Sequence, residues 1–243
     1  MPKVTFQYNI KKDAWSWVSV TKDKDKNIFG LNWRKQIVHI PEDLLGKILK
    51  LDFSEANNIT ENYLKNHPKR KYRKLIIKQE LIALGNSWGK IEKSFFSILS
   101  HVTNKPIYRD DFRCFLTTGF MCPYNERENW FMVSMWHSLP FSITTICHEL
   151  LHLQFLHYYR DYLEKKGLND KQIEDIKESL TFLLNEPEFE NIILSKDRGY
   201  PEHQRVRQQL KKIWQENKTF SKFLDKAINE INKNRNPYNN IRR

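Results

Sequence analysis

Between Ser142 and Gly167 the chain reads SITTICHELLHLQFLHYYRDYLEKKG. Ser142 is a good N-cap residue and Gly167 a good C-cap residue, so the stretch predicts one helix. Cys147, Leu150, Leu151 and Leu153 lie in and beside the segment CHELLH, which makes this helix apolar on nearly every side. A helix of that kind is buried, and the rest of the fold must be layered around it. Yet it carries His148, Glu149 and His152. Polar and ionisable groups in such a place cost several kcal/mol each unless they are paired or bound to a metal.

The spacing suggests how that cost is met. Residues four apart share one face of a helix, so His148 and His152 present two imidazoles side by side. Both nitrogens can sit about 2.0–2.1 Å from one zinc ion. Glu149 lies about 100° further round the helix, within reach of a metal-bound water but not in line with the histidines. This is the H-E-x-x-H arrangement. A catalytic zinc needs a third protein ligand and one open position. His157 is nine residues after His148 and half a turn off the metal face. No glycine follows His152 within two turns to let the chain swing a distal histidine back. A helix expected from Asp170 to Asn185 offers Glu178 instead. Ile173, Ile176, Leu180, Leu183 and Leu184 make its apolar stripe, and Glu178, Phe182 and Asn185 make a second one. Glu178 is the favoured third ligand. Glu186 is the rival, although its position before Pro187 sets it outside the helix.

HELLH on a helix, preceded by a strand hairpin and followed by a glutamate on the next helix, resembles the zincin metallopeptidases, and within them the glutamate-liganded gluzincins. The resemblance covers roughly Trp88 to Asn185. It matches a helix at 88–102 to the one that backs the sheet, and 130–136 to the edge strand that pairs with an extended substrate. The glycine and third histidine of metzincins are absent. The Asn-Glu pair of the thermolysin type is missing at Glu178, where Lys177 precedes, but present at Asn185–Glu186. The resemblance implies a zinc-dependent peptidase acting on a peptide or protein substrate. His148 and His152 would be ligands and Glu149 the general base. Zinc would bring its bound water to a pKa of about 7 and polarise the scissile carbonyl. The tetrahedral oxyanion calls for a further donor, and GYPEHQRVR offers Tyr200, His203 and Arg207, with Tyr200 and His203 as the candidates. Two other readings stay open: an inactive zincin-like binding module with a basic surface, and a non-peptide zinc hydrolase. His101 and His137 read as ordinary surface or turn residues, His137 with extra interest from its place before the motif helix.

The remaining sequence predicts an α+β fold with a small sheet and a helical C-terminal part. Val4, Phe6, Tyr8 and Ile10 alternate as in a strand, with Ala14 to Val20 as a hairpin partner. Helices are expected from Pro41, through YRKLIIKQELIAL, and, after caps at Asn86 and Ser87, across the stripe Trp88, Ile91, Phe95, Ile98, Leu99 and Val102. Residues 112–118 and 130–136 read as an antiparallel hairpin. The last helices are expected at 201–217 and 220–232. Residues 1–85 form an N-terminal part and 86–243 the zincin-like region, in two units or one compact body. The formal charge is +12, with basic clusters at 65–74 and 232–243. A basic surface can attract nucleic acid, but no nucleic-acid motif accompanies the charge, and a solvated face is the simpler reading. The N-terminus lacks the apolar block of a signal peptide and no run is long enough to span a bilayer, which predicts a cytoplasmic protein. Three cysteines, Cys114, Cys122 and Cys147, are too few for a disulfide framework.

Overall fold

The structure is a computed structural model and describes residues 1–22, 40–216 and 218–233. In chain order its elements are β1 (Lys3–Gln7), α1 (Ile10–Lys22), α2 (Glu42–Lys50), α3 (Phe53–Asn66), α4 (Arg70–Thr103), β2 (Asp111–Thr117), β3 (Tyr124–Asn125), β4 (Trp130–Ser134), α5 (Leu139–Lys165), α6 (Asp170–Leu180), α7 (Gln204–Glu216) and α8 (Phe220–Lys233). Short 3-10 turns at Thr181–Asn185, Pro187–Phe189 and Pro201–His203 link α6 to α7. The fold is α+β, as expected: the described residues hold one mixed four-stranded sheet, eight α-helices and a helical C-terminal part. Two compact units emerge. One joins Met1–Lys93 to Arg109–Glu149, the other Ser94–Tyr108 to the chain from Leu150 onward. The division falls inside α4 and α5, both of which are continuous helices.

The first unit holds the sheet, in the order β1-β2-β4-β3. β1 runs parallel to β2 from Lys3↔Asp111 to Gln7↔Phe115. β2 runs parallel to β4 from Arg113↔Trp130 to Thr117↔Ser134. The expected antiparallel hairpin between these two strands is therefore wrong. The chain reverses twice between them, and the antiparallel partner of β4 is the short β3, at Tyr124↔Phe131 and Asn125↔Trp130. β4 is thus an inner strand over that register, and the outer position passes to β3. All five residues of β4 are buried, as parallel neighbours covered on both faces should be.

Residues 14–20 form part of α1, not a strand. Ala14, Trp17, Val18 and Thr21 are buried at helical spacing, and the first three join Leu44, Ile48, Ala56 and Leu64 of α2 and α3 in one apolar cluster. Packing of that stripe overrides the strand preference of Trp15, Trp17, Val18 and Val20. α4 is a single helix of 34 residues, so Asn86 and Ser87 cap nothing. Glu92 of α4 ties it to β1, because its Oε1 accepts from Val4 N and from Trp88 Nε1, both at 2.7 Å. The basic residues 65–74 straddle the α3–α4 turn and face solvent, apart from half-buried His67 and Arg73. Of the other basic cluster, 234–243 lies outside the described residues.

A second anchor is a buried carboxylate. Asp13 of α1 is 1% exposed. It accepts hydrogen bonds from Tyr8 Oη, Thr117 Oγ1, Thr118 N and Thr118 Oγ1, each at 2.8 Å. Burial raises its pKa, and these four donors oppose the rise.

In the second unit the buried side of α5 meets the end of α4 and the C-terminal helices. Tyr159 Oη donates to Thr103 O at 3.0 Å and Gln154 Nε2 to Pro106 O at 3.0 Å. Aromatic contacts continue the core, with Tyr159 against Phe220, Phe182 against Phe223 and Trp214 against Phe223. α5 begins at Leu139, three residues before the expected cap, and Gly167 ends it with φ +82°. α6 starts at a capping box formed by Asn169 and Gln172.

Candidate metal centre

The expectation of a helix buried on all sides holds where it matters. Every residue from Glu149 to Leu156 is buried, and His148 is half-buried. The helical register carries His148 and His152 on one face of α5, and α6 brings Glu178 to meet them. One ligand atom from each of His148, His152 and Glu178 lies within 4.8 Å of the others. His152 Nε2 is 3.7 Å from Glu178 Oε2. Two ligands of one tetrahedral zinc, each about 2.1 Å from the metal, are separated by roughly 3.4 Å. The group therefore needs to contract by no more than about 1.4 Å to share one ion. Two imidazoles and one carboxylate are a donor set suited to zinc.

Glu178 is 7% exposed. Its Oε1 lies 3.0 Å from Lys177 Nζ, and Lys177 also donates to Glu174 Oε1 at 2.7 Å. The rival carboxylate, Glu186, is buried as well but turns elsewhere. Its backbone is extended after the 3-10 turn, and its Oε1 is 3.5 Å from Lys211 Nζ on α7. Glu186 is not part of the three-residue group.

Glu149 is 6% exposed. Two thiols lie in its electrostatic neighbourhood. Burial pushes Cys114 well up, with Cys122 and Glu149 adding to the rise, and burial together with Glu149 also raises Cys122. Neither thiol belongs to the three-residue group. All three cysteines are free.

Tyr200 precedes the Pro201–His203 turn and His203 ends it, with ring centroids 6.2 Å apart. His203 Nδ1 is 3.4 Å from Asp175 Oδ1 of α6, one turn before Glu178. Neither belongs to the three-residue group. Arg207, the third residue offered as a donor, is built into a buried network. Its guanidinium donates to Asp197 Oδ1 at 2.8 Å, to Asp197 O at 2.9 Å and to Thr181 Oγ1. Burial lowers its pKa, while Asp197 and Glu178 pull the other way. Asn185 closes the network through paired bonds to the Asp197 backbone at 2.7 and 2.9 Å. Gly199 makes room for Arg207: its φ is +61°, and a Cβ there would meet the guanidinium at 3.0 Å.

Three further histidines stand outside the three-residue group. His101 is exposed on α4. His157 stacks on Tyr108 at 4.3 Å. His137 packs edge-on against Phe141, and burial lowers its pKa to about 4. The sequence reading missed Lys177. Its signal was present: Lys177 falls four residues after Ile173 and three before Leu180, inside an otherwise apolar stripe.

Compared with family models, with curated proteins and with solved structures, the chain matches none of them. No helix among the described residues is long and apolar enough to cross a membrane.

Proposed function

We propose that this chain is a zinc-dependent peptidase of zincin type, with His148, His152 and Glu178 holding the metal and Glu149 acting as general base. The observation that carries this reading is the convergence of His148, His152 and Glu178 within 4.8 Å beside the acidic residue of the same H-E-x-x-H motif. When bound, zinc would supply an activated water and a Lewis acid for the substrate carbonyl. The residues supply the rest. The two imidazoles and the Glu178 carboxylate carry one negative charge between them, so they leave a divalent ion electrophilic. Glu149, one residue after His148, takes a proton as the water attacks the peptide carbonyl and returns it to the leaving amine. His203 and Tyr200 stand beside α6 as donors for the oxyanion, with Asp175 orienting the His203 ring. A cytoplasmic setting accords with the three free thiols.

The test is a comparison of wild type with Glu149→Gln on a peptide library, with ester and phosphoester substrates alongside. General-base catalysis contributes about 10²–10⁴-fold, so the variant should keep its zinc and lose at least two orders of magnitude in peptide hydrolysis. Equal hydrolysis by both proteins contradicts the role of Glu149. Cleavage confined to esters or phosphoesters contradicts the peptidase reading. Salt-sensitive nucleic-acid binding by both proteins, with no hydrolysis by either, would instead favour a binding module that uses the basic surface.

A further inference from the structure

We propose that Lys177 is a positioning residue for Glu178, holding carboxylate Oε1 so that Oε2 alone is offered to the metal. This rests on the metal reading above and adds how the site keeps an open position. Lys177 is 1% exposed, an unusual place for an ammonium group. A lysine that served only Glu174, whose side chain is half exposed, could make that pair at the surface without losing its water. Lys177 is instead drawn inward to 3.0 Å from Glu178 Oε1. The other oxygen, Oε2, is the one at 3.7 Å from His152 Nε2. The two carboxylate oxygens thus have separate tasks.

The chemistry follows from charge and geometry. A carboxylate that chelates through both oxygens fills two coordination positions. With two histidines and the bound water, such a chelate would raise the ion from four positions to five and fill the place that a substrate carbonyl needs. An ammonium on Oε1 prevents this in two ways. It uses the oxygen in a charge-assisted hydrogen bond, and its positive charge repels a cation from that side. Glu174 on the outer side of Lys177 offsets part of the added charge.

Cobalt(II) in place of zinc reads coordination number directly, because four-coordinate cobalt absorbs visible light far more strongly than five-coordinate cobalt. The wild type, with one oxygen from Glu178 and one water, should show the strong four-coordinate bands. In Lys177→Met the carboxylate is free to chelate beside the water, and the bands should fall several-fold while cobalt stays bound. Lys177→Arg, which can still donate to Oε1, should restore the wild-type spectrum. An unchanged spectrum in a folded Lys177→Met protein overturns the proposal. Should Lys177→Met fail to fold, a zinc-loaded crystal structure of the wild type decides. Lys177 on Oε1 with the metal on Oε2 is expected, and chelation through both oxygens overturns it. A wild type that takes up neither metal removes the metal reading and this inference with it; one that binds metal through a chelating Glu178 removes only the inference.

Discussion

Asp13 and Glu178 are both buried carboxylates, and they are buried among different neighbours. Asp13 is ringed by a phenol, two threonine hydroxyls and one backbone N–H, all at 2.8 Å. Those donors satisfy it within the fold and knit α1 to the end of β2. Glu178 faces an imidazole at 3.7 Å on one oxygen and an ammonium at 3.0 Å on the other. An acid set among neutral donors is a structural knot. An acid set between a lysine and a histidine pair with metal-ligand spacing is a candidate site. Burial alone does not separate the two cases; the chemistry of the neighbours does.

That contrast can be broken by exchanging what each acid loses. The largest effect is expected from Asp13→Ala, which strands four buried donors. Leaving such groups unsatisfied costs about 1–3 kcal/mol each, not additively, so a loss on the order of 4 kcal/mol is expected in chemical unfolding. Glu178→Gln should do the reverse. Its metal-free stability should change by about 1 kcal/mol or less, while zinc affinity falls by at least about 100-fold, as loss of a ligand requires. The same unfolding assay reads both halves, because zinc stabilises a protein only in so far as it binds the folded state. Added zinc should raise the melting temperature of the wild type but not of Glu178→Gln. A Glu178→Gln protein as unstable as Asp13→Ala would make Glu178 a structural acid like Asp13, and the contrast would fail.

A smaller effect follows from pH. Burial holds His137 at about 4, against about 6.5 in an unfolded chain. A histidine with a lowered folded pKa contributes stability that is present above pH 6.5 and is lost as pH falls towards 4. Wild-type stability should therefore fall across that window by up to about 3 kcal/mol, and His137→Gln should flatten the fall. Smallest is Gly199→Ala, where positive φ and the nearby Arg207 guanidinium should cost about 1–2 kcal/mol in thermal unfolding.

The helices that carry the site were legible because their signals are local. Gly167 at positive φ and the Asn169 capping box mark where α5 ends and α6 begins, and the four-residue spacing of His148 and His152 sets their shared face. Glu178 was legible as half of an alternative, since helical spacing placed it on an inner stripe without saying what lay opposite. The pairing of β2 with β4 was not legible. Direction in a sheet depends on where the chain travels between strands, and the two-residue β3 is too short to announce the extra reversal. α1 was misread because two tryptophans and two valines favour strands, although Ala14, Trp17, Val18 and Thr21 already carried the helical spacing. The unbroken α4 was missed because Gly85, Asn86 and Ser87 look like a stop. Gly85 answers no packing demand, as a Cβ there would meet nothing within 4 Å. Lys177 escaped notice because a lysine is read as surface unless its neighbours in the stripe are counted.

The central claim is that His148, His152 and Glu178 hold one metal ion. Zinc titration by calorimetry tests it most directly, on the wild type and on His148→Ala, His152→Ala and Glu178→Gln. The account predicts one zinc per wild-type chain and a large loss of affinity in each of the three variants, with Glu186→Gln unchanged. A wild type that binds no zinc, or three variants that bind it as tightly as the wild type does, would contradict it.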